Sequence, residues 1–280
     1  MKRIMTIQDI SCVGKCSLTV ALPIISAAGV ECGVLPTAVL STHTMFSKYT
    51  FCDLTGEIKP IADAYKELGI DFDAIYTGYL GSFEQLRLVD DFFTDFGKDA
   101  IKLVDPVMAD NGVLYKGFTP EFVKSMAKLV SHADIVIPNL TEASLMLGIE
   151  YRENYDEEHI RCVLRGLADL GCPKAALTGI GFKDDEIGVY MYDKATDTYF
   201  KYFNERLPVS YHGTGDIFAS ATLGALMRGM SLEDALCLAV DFTLTCMKKT
   251  LEDENRRFYG VNFEEALPFY ISRIPELLDK

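Results

Sequence analysis

The sequence is short of basic residues. It has 27 Lys and Arg against 41 Asp and Glu in 280 residues, so its formal net charge is −14. Proteins that bind nucleic acid or an anionic membrane through a basic face need the opposite balance, so we expect neither partner. An anionic nucleotide is compatible with this charge, because a local nest of backbone N–H groups binds phosphate whatever the distant net charge.

Long apolar runs and paired cysteine motifs are also missing. No stretch reaches the roughly 18 to 20 uninterrupted apolar residues that a membrane-spanning helix needs. The eight cysteines form no C-x-x-C pair and no Cys/His cluster with the spacing of a zinc site. Free thiols are typical of a reducing compartment, so we expect a cytoplasmic protein.

The chain has no Pro- or Ser-rich linker, no internal repeat and no low-complexity tract, so we expect a single domain over residues 1–280. Short apolar runs bounded by Gly, Pro or Asp alternate with helical patterns, as in buried parallel strands joined by helices. This favours an α/β fold with a central, mostly parallel sheet and helices on both faces. Two alternating runs around Asp193–Asp197 predict a small antiparallel hairpin near residues 186–203.

The same patterns set the bounds of the other elements. The predicted strands cover residues 3–8, 33–40, 73–77, 101–104, 134–137 and 175–178. The predicted helices cover residues 17–29, 58–69, 83–96, 119–131, 141–148, 156–170, 215–229, 232–250 and 262–275.

A glycine-rich turn precedes the helix predicted at 215–229. Residues 211–220 read YHGTGDIFAS, in which two glycines flank Thr214 and Asp216 follows directly. The beginning of a helix has unpaired N–H groups and partial positive charge, so it attracts anions. Asp216 is therefore either a helix cap or a base held beside a bound phosphate.

Polar side chains follow most of the predicted strands. Ligands of open parallel sheets bind beyond the carboxyl ends of the strands, so we expect these side chains to gather at one edge. Each also has a plain structural explanation: Asp105-Pro106 is a turn, Asn139 caps a helix, and Thr178 simply ends a strand. The residues concerned are Asp9, Ser41, Thr42, His43, Thr44, Gly78, Tyr79, Gly81, Asp105, Asp110, Asn139, Glu142, Thr178, Gly179 and Gly181.

Taken together, these residues match the needs of phosphoryl transfer. That reaction needs N–H donors for the phosphoryl oxygens, Mg²⁺ to offset phosphate charge, and a base within reach of the substrate hydroxyl. The glycine-rich helix start supplies donors and Asp216 supplies a base. Asp105 and Glu142 supply carboxylates for a metal.

The motifs resemble those of the vitamin B6 (pyridoxal) kinases of the ribokinase-like superfamily. GTGD at 213–216 and N-x-x-E at 139–142 are marks of the superfamily. LSTHT at 40–44, TGYLGSFEQ at 77–85 and DPVMAD at 105–110 are similar to motifs of the B6 kinases. The resemblance covers nearly the whole chain. It implies a ribokinase-like fold and ATP-dependent phosphorylation of the 5′-hydroxymethyl group of pyridoxal, pyridoxamine or pyridoxine.

The resemblance also implies roles for individual residues. Asp216 would be the general base, and the N–H groups of Gly213, Thr214 and Gly215 would form the anion hole. The implied cofactor is Mg²⁺ with ATP, with a monovalent cation such as K⁺ as an optional addition, and the implied assembly is a homodimer. The implied ATP contacts are Asp105, Asn139, Thr178, Gly179, Thr214 and Gly215; the metal contacts are Asp105 and Glu142, mainly through water; and the substrate contacts are Asp9, Thr44, Tyr79 and Asp216.

The chain departs from the B6 kinase pattern at three positions. Asp9 stands where many of these kinases have a serine against the pyridine ring, Ala109 replaces a glycine, and Thr42 replaces an asparagine. A carboxylate at residue 9 would pair with a protonated pyridine nitrogen or an amine, or would change the substrate. These departures bear on the substrate more than on the reaction.

Other functions stay open at this point. Hydroxymethylpyrimidine kinases of the same superfamily usually open with A-G-S-D-x-x-G-G-A-G, whereas this chain has IQDISCVGKCS. Sugar and nucleoside kinases are further members, but sugar kinases usually carry an inserted lid domain, for which the chain leaves no room. A vitamin-binding protein without catalysis would fit Asp9 but would need no base such as Asp216.

Overall fold

The computed structural model describes residues 1–278 and all of their side chains except those of 276 and 277. Its strands are β1 Arg3–Val13, β2 Glu31–Thr42, β3 Phe51–Asp53, β4 Ala74–Thr77, β5 Ile101–Val104, β6 Ala109–Asp110, β7 Val113–Leu114, β8 Ile135–Val136, β9 Lys174–Ile180, β10 Glu186–Asp193 and β11 Thr198–Glu205. Its helices are α1 Leu18–Ala27, α2 Thr55–Leu68, α3 Phe83–Phe96, α4 Pro120–Val130, α5 Leu140–Leu147, α6 Glu157–Asp169, α7 Thr214–Met227, α8 Leu232–Glu252 and α9 Phe263–Leu278.

The chain packs as two compact units, one formed by residues 1–74 with 207 onwards and the other by residues 75–206. In the first unit β1 pairs in parallel with β2, and β3 adds an antiparallel edge. In the second unit the strand order is β4-β5-β8-β9-β10-β11, with parallel pairs at β5–β8 and β8–β9. The predicted α/β fold with a mostly parallel sheet is confirmed; the single-domain organisation stays a prediction.

The hairpin expected near residues 186–203 is confirmed as the antiparallel pair β10–β11. Helix α6 holds it through Glu157, which accepts hydrogen bonds from the Tyr190 hydroxyl at 2.6 Å and from Lys201 Nζ at 2.7 Å. The Arg161 guanidinium donates to the same carboxylate at 2.9 Å. This network attaches the edge of the second unit's sheet to a helix.

Strand β1 is longer than predicted and irregular at Asp9. The prediction ended the strand at residue 8 because Gln8 and Asp9 interrupt its apolar run, but the strand continues to Val13. The register against β2 shifts between Gln8 and Ile10, which places Asp9 at a bulge within the strand rather than beyond its end. Bulges re-aim side chains and are common beside active sites.

Two further strand ends were predicted too early, and two short pairings were missed. Thr178 and Gly179 lie inside β9, and Ser41 and Thr42 lie inside β2, because pairing with neighbouring strands extends each strand past its apolar run. Strand β3 and the strands of the β6–β7 hairpin have only two or three residues each, too few for a periodic pattern.

Among the described residues, no helix is long and apolar enough to cross a membrane.

Candidate active site

The first unit carries the glycine-rich turn at the start of α7. Gly213 is the N-cap residue, with φ of 82°, and a side chain there would run into the backbone carbonyl of Lys15. Only glycine combines this conformation with so close an approach. The N-cap residue is thus a glycine, which makes no side-chain cap hydrogen bond, and Asp216 is not the N-cap residue but lies in the first turn of the helix.

Asp216 is the third residue of α7 and accepts a hydrogen bond from the backbone N–H of Ser17. The Asp216 residue is partly exposed to solvent, but protein atoms surround its carboxyl group closely. Burial, and to a smaller extent the nearby Asp9, raise the pKa of Asp216 to about 7, while the Ser17 hydrogen bond opposes that shift. A carboxyl with such a pKa is suited to general base catalysis near neutral pH.

Asp9 lies beside this group and is buried. It accepts hydrogen bonds from the hydroxyls of Ser17 at 2.6 Å and Ser11 at 3.2 Å. Burial raises the pKa of Asp9, and the two hydroxyls partly offset that rise. Ser11 and Ser17 were not predicted as site residues, because a single serine carries no specific sequence signal.

A pair of histidines lies in the same unit. The rings of His43 and His212 are 4.7 Å apart. His43 accepts the Met45 N–H at Nδ1, and its Nε2 is 3.0 Å from the Tyr259 carbonyl oxygen. Burial lowers the pKa of His212 to about 4, and His43 adds to this shift. Thr44, predicted as a substrate contact, is exposed next to His43.

The second unit carries the N-x-x-E motif at the start of α5. Asn139 Oδ1 accepts the Glu142 N–H at 2.9 Å, and Glu142 Oε2 accepts the Asn139 N–H at 3.0 Å. This is a complete capping box, so the capping interpretation is confirmed. The same side chains also reach the loop after β5, since Met108 N–H donates to Glu142 Oε1 at 3.0 Å and Asn139 Nδ2 donates to the Ala109 carbonyl at 2.8 Å.

Glu142 is buried, and that burial raises its pKa to about 8. Hydrogen bonds from Asn139 and Met108 oppose the rise, and the charge of Asp110 adds to it. A cation nearby would favour the ionised form of this carboxyl.

Asp105 and Thr178 lie at strands β5 and β9 of the second unit, which are on either side of β8. Asp105 follows β5 directly, as predicted, and its N–H donates to the Thr77 carbonyl at 2.9 Å. Thr178 N–H donates to the Pro138 carbonyl at 3.0 Å, and Thr178 forms an isolated bridge with Asn139. Within this unit, the polar residues that follow the strands therefore lie together at one edge of the sheet.

Two other predicted residues complete this description. Gly179 has φ of 72°, is exposed, and faces open space where a side chain would stand. Tyr79 is half-buried, with its ring 5.6 Å from that of Phe118. Its loop is held by Gln85, whose Oε1 accepts the Gly81 N–H at 2.7 Å.

The described residues include no group of three or more His, Cys, Asp or Glu that could hold a metal ion. Asp105 and Glu142 are thus not part of a closed protein cage. Mg²⁺ usually keeps several waters and binds through one or two carboxylates together with substrate phosphates. The oxygen donors of these two residues fit that mode of binding.

Comparison with known proteins gives a family match and full-length relatives. The family model described as phosphomethylpyrimidine kinase matches residues 25–259. A crystal structure from Bacteroides thetaiotaomicron, described as a candidate phosphomethylpyrimidine kinase in a form with pyridoxal, is 40% identical, has a TM-score of 0.91, and matches over 96% of this chain and 95% of that one.

Relatives with the pyridoxal kinase name also align along the chain. The crystal structure of pyridoxal kinase from Lactobacillus plantarum is 28% identical, with a TM-score of 0.91 and 99% of each chain covered. A pyridoxal kinase from Proteus mirabilis is 29% identical over 90% of both sequences. The resemblance predicted from the motifs is therefore confirmed.

Proposed function

The chain belongs to the phosphomethylpyrimidine kinase family, and on that premise we propose that it transfers the γ-phosphoryl group of ATP to the 5′-hydroxymethyl group of a B6 vitamer. The observation that carries this proposal is Asp216, a carboxyl with a pKa raised to about 7 in the first turn of α7. Neither a helix cap nor a simple binding protein needs such a group. Full-length similarity to pyridoxal kinases supports pyridoxal, pyridoxamine or pyridoxine as the substrate.

Asp216 acts as the general base. Near its pKa a substantial fraction is ionised, and that form takes the proton of the hydroxymethyl group as the oxygen attacks phosphorus. The Ser17 N–H holds the carboxylate in one orientation. Positioned general bases typically contribute about 10²- to 10⁴-fold to a rate.

The anion hole consists of the N–H groups of Gly213, Thr214 and Gly215. Donors in the first turn of a helix have no intrahelical acceptor, and they lie at the positive end of the helix dipole. The left-handed conformation of Gly213 turns the backbone sharply into α7. These fixed donors stabilise the charge on the transferring phosphoryl group.

Asp105 and Glu142 would hold Mg²⁺, mainly through water, and the ion would supply positive charge to offset that of the ATP phosphates. Asn139, Thr178 and Gly179 contact the nucleotide. Glu142 has a second role in the protein itself, because its bond to Met108 holds the loop that begins at Asp105.

Asp9, Thr44 and Tyr79 contact the vitamer. The carboxyl at residue 9 favours a substrate with a protonated pyridine nitrogen or an amine. We further expect a homodimer in the cytoplasm. K⁺ dependence is measured by adding K⁺ or Na⁺ to the assay described next.

The test is a turnover assay with Mg²⁺, ATP and each of pyridoxal, pyridoxamine, pyridoxine and hydroxymethylpyrimidine. We expect phosphorylation of at least one B6 vitamer, and Asp216→Ala should lower kcat by about 10²-fold or more. ATP binding, measured by calorimetry, should be retained in that variant. Asp184→Ala, at an exposed position, is the matched control.

Three results would contradict the proposal or parts of it. Turnover of hydroxymethylpyrimidine alone would assign the chain to the alternative named by the family description. Vitamer binding without any turnover would indicate a non-catalytic binder. Near-normal kcat in Asp216→Ala would refute only the role of Asp216 as general base.

A further inference from the structure

Ser17 has an unusual backbone conformation. It is one of three residues other than glycine with positive φ among the described residues, together with Asn111 and Asp197. Asn and Asp are the types that tolerate the left-handed region. Ser17 instead combines φ of 51° with ψ of −135°, which is outside that region and is occupied almost only by glycine. Such strain persists only where the surroundings over-determine the conformation.

Every polar group of Ser17 is engaged. Its hydroxyl donates to Asp9 Oδ1 at 2.6 Å, and its N–H donates to the Asp216 carboxylate. Its carbonyl accepts the N–H groups of Val20 at 3.0 Å and Ala21 at 2.9 Å, at the start of α1. One buried serine thus joins two acidic side chains from opposite ends of the sequence.

The loop that carries Ser17 has little room to relax. The Lys15 carbonyl lies against the Cα atom of Gly213, and the Lys15 side chain lies against Gly260. Gly14 lies equally close to the ring of His43. Neighbours on several sides therefore fix the direction of the Ser17 N–H.

We propose that Ser17 is a positioning residue that holds the Asp216 carboxylate through its backbone N–H and ties Asp9 beside it through its hydroxyl, so that the two carboxyl groups are kept next to each other. This inference rests on the proposed role of Asp216 as the general base. It gives Asp9, which departs from the serine of related kinases, a function toward the base as well as toward the substrate.

One of the two histidines near this pair is neutral near pH 7. His212, directly before the turn, has a pKa lowered to about 4 by burial and by His43. The other histidine, His43, favours the ionised form of Asp9.

The other titratable neighbours in the β1–α1 loop are Cys16 and Lys15. Burial, with the charges of Asp216 and Asp9, raises the pKa of the Cys16 thiol, which stays neutral. The Lys15 ammonium is paired with Glu264 at 2.9 Å. Among the described residues of this unit, Asp9 is the charged group that acts on the pKa of Asp216.

The decisive variant is Asp9→Asn. Asparagine keeps the Oδ1 acceptor for Ser17 and removes the charge, while its amide nitrogen replaces the oxygen that accepts the longer bond from Ser11. Without that charge Asp216 ionises more easily. The acidic limb of the pH profile of kcat, measured at saturating pyridoxal and Mg·ATP, should therefore move to lower pH by about one unit. Asp71→Asn, at an exposed position of the same unit, should leave the limb unchanged.

A second measurement does not depend on turnover. The carboxylic-acid C=O stretching band of Asp216, identified by its loss in Asp216→Asn, is titrated by infrared difference spectroscopy. Its midpoint should move in Asp9→Asn in the same direction and by the same amount as the kinetic limb.

Variants of Ser17 separate positioning from folding. Ser17→Gly removes both the hydroxyl and the strain, whereas Ser17→Ala removes the hydroxyl and keeps the strain. Ser17→Gly should be the more stable of the two, yet both should lose about tenfold in kcat, because neither ties Asp9 beside the base. Both should also shift the acidic limb downward. Full recovery of kcat and of the limb in Ser17→Gly would show that Ser17 is merely structural and would overturn the inference.

The two proposals fail in different ways. If the unchanged protein phosphorylates no vitamer, the proposed function fails, and the infrared titration still decides whether Asp9 and Asp216 are coupled. If it phosphorylates pyridoxal but Asp9→Asn leaves both the limb and the band in place, the inference fails and the function stands.

Discussion

Glu142 accepts the backbone N–H of Met108 at 3.0 Å, a bond that joins the first turn of α5 to the loop after β5. The other oxygen of the same carboxyl closes the capping box with Asn139. The motif residue that we propose as a metal contact is thus also the residue that shapes the loop beginning at Asp105.

Replacing Glu142 with alanine should therefore destabilise the protein even without nucleotide. The change leaves the N–H groups of Asn139 and Met108 without their acceptor in a buried place, and we expect a loss of about 3 kcal/mol in the free energy of unfolding. Urea denaturation measures this loss. Glu150→Ala, at an exposed position just after the helix, should change stability little, and equal effects of the two variants would argue against the described role.

Gly213→Ala should damage both stability and turnover. Alanine is strained at φ of 82°, and its Cβ would run into the Lys15 carbonyl, so the turn before α7 must shift. We expect a cost of about 1–3 kcal/mol in stability and a clear drop in kcat.

Gly56 in α2 offers the matched control for that substitution. It has an open space in place of a side chain and no positive φ, so Gly56→Ala should stabilise by roughly 0.5–1 kcal/mol and leave kcat unchanged. A Gly213→Ala protein with normal kcat would contradict the proposed anion hole.

Turnover should fall as the pH drops below about 7, where Asp216 takes up a proton. The ionised form is the base, so kcat should decrease about tenfold for each further pH unit, as expected for one essential carboxylate. The measurement is kcat at saturating substrates from pH 5 to 8.5. A fall in kcat that begins only near pH 4, the ordinary range of an aspartate pKa, would show that the base is not the buried Asp216.

The same pKa predicts the opposite trend for stability. The folded-state pKa of Asp216 lies above its unfolded value, so its contribution to stability is present at low pH and is lost as the pH rises through about 7. Asp216→Asn stays neutral and keeps an acceptor for the Ser17 N–H. We therefore expect it to be more stable than the unchanged protein by about 2 kcal/mol at pH 8.5.

The control for this prediction is the same comparison of the two proteins at pH 5. At pH 5 Asp216 is already protonated, so the difference between the two proteins in urea denaturation should shrink. A difference that does not vary with pH would mean that the substitution acts through packing and not through charge.

Sequence patterns predicted many elements closely. Helix α3 and strand β5 have the predicted bounds, residues 83–96 and 101–104, because strong periodicity and flanking Gly and Ser residues define them locally. The helix stop predicted at Gly69 is confirmed, with φ of 64°.

The β6–β7 hairpin was not predicted, although the sequence has a local signal for it in the Asn111-Gly112 pair. Asn111 and Gly112 have φ of 50° and 78°, as in the tight turn that an Asn-Gly pair favours. The bulge at Asp9, in contrast, has no local signal, since it depends on the register between β1 and β2.

The amino-acid sequence by itself determined the order of strands and helices, the glycine-rich start of α7 and the residue types available for phosphoryl transfer. These depend on side-chain periodicity and on backbone preferences over a few neighbouring residues. Only the tertiary structure decided that Ser17 and Asp9 join Asp216, and that Glu142 holds the Met108 loop. The pKa and orientation of a carboxyl depend on burial and on neighbours distant in the chain, and those arise only when the chain is folded.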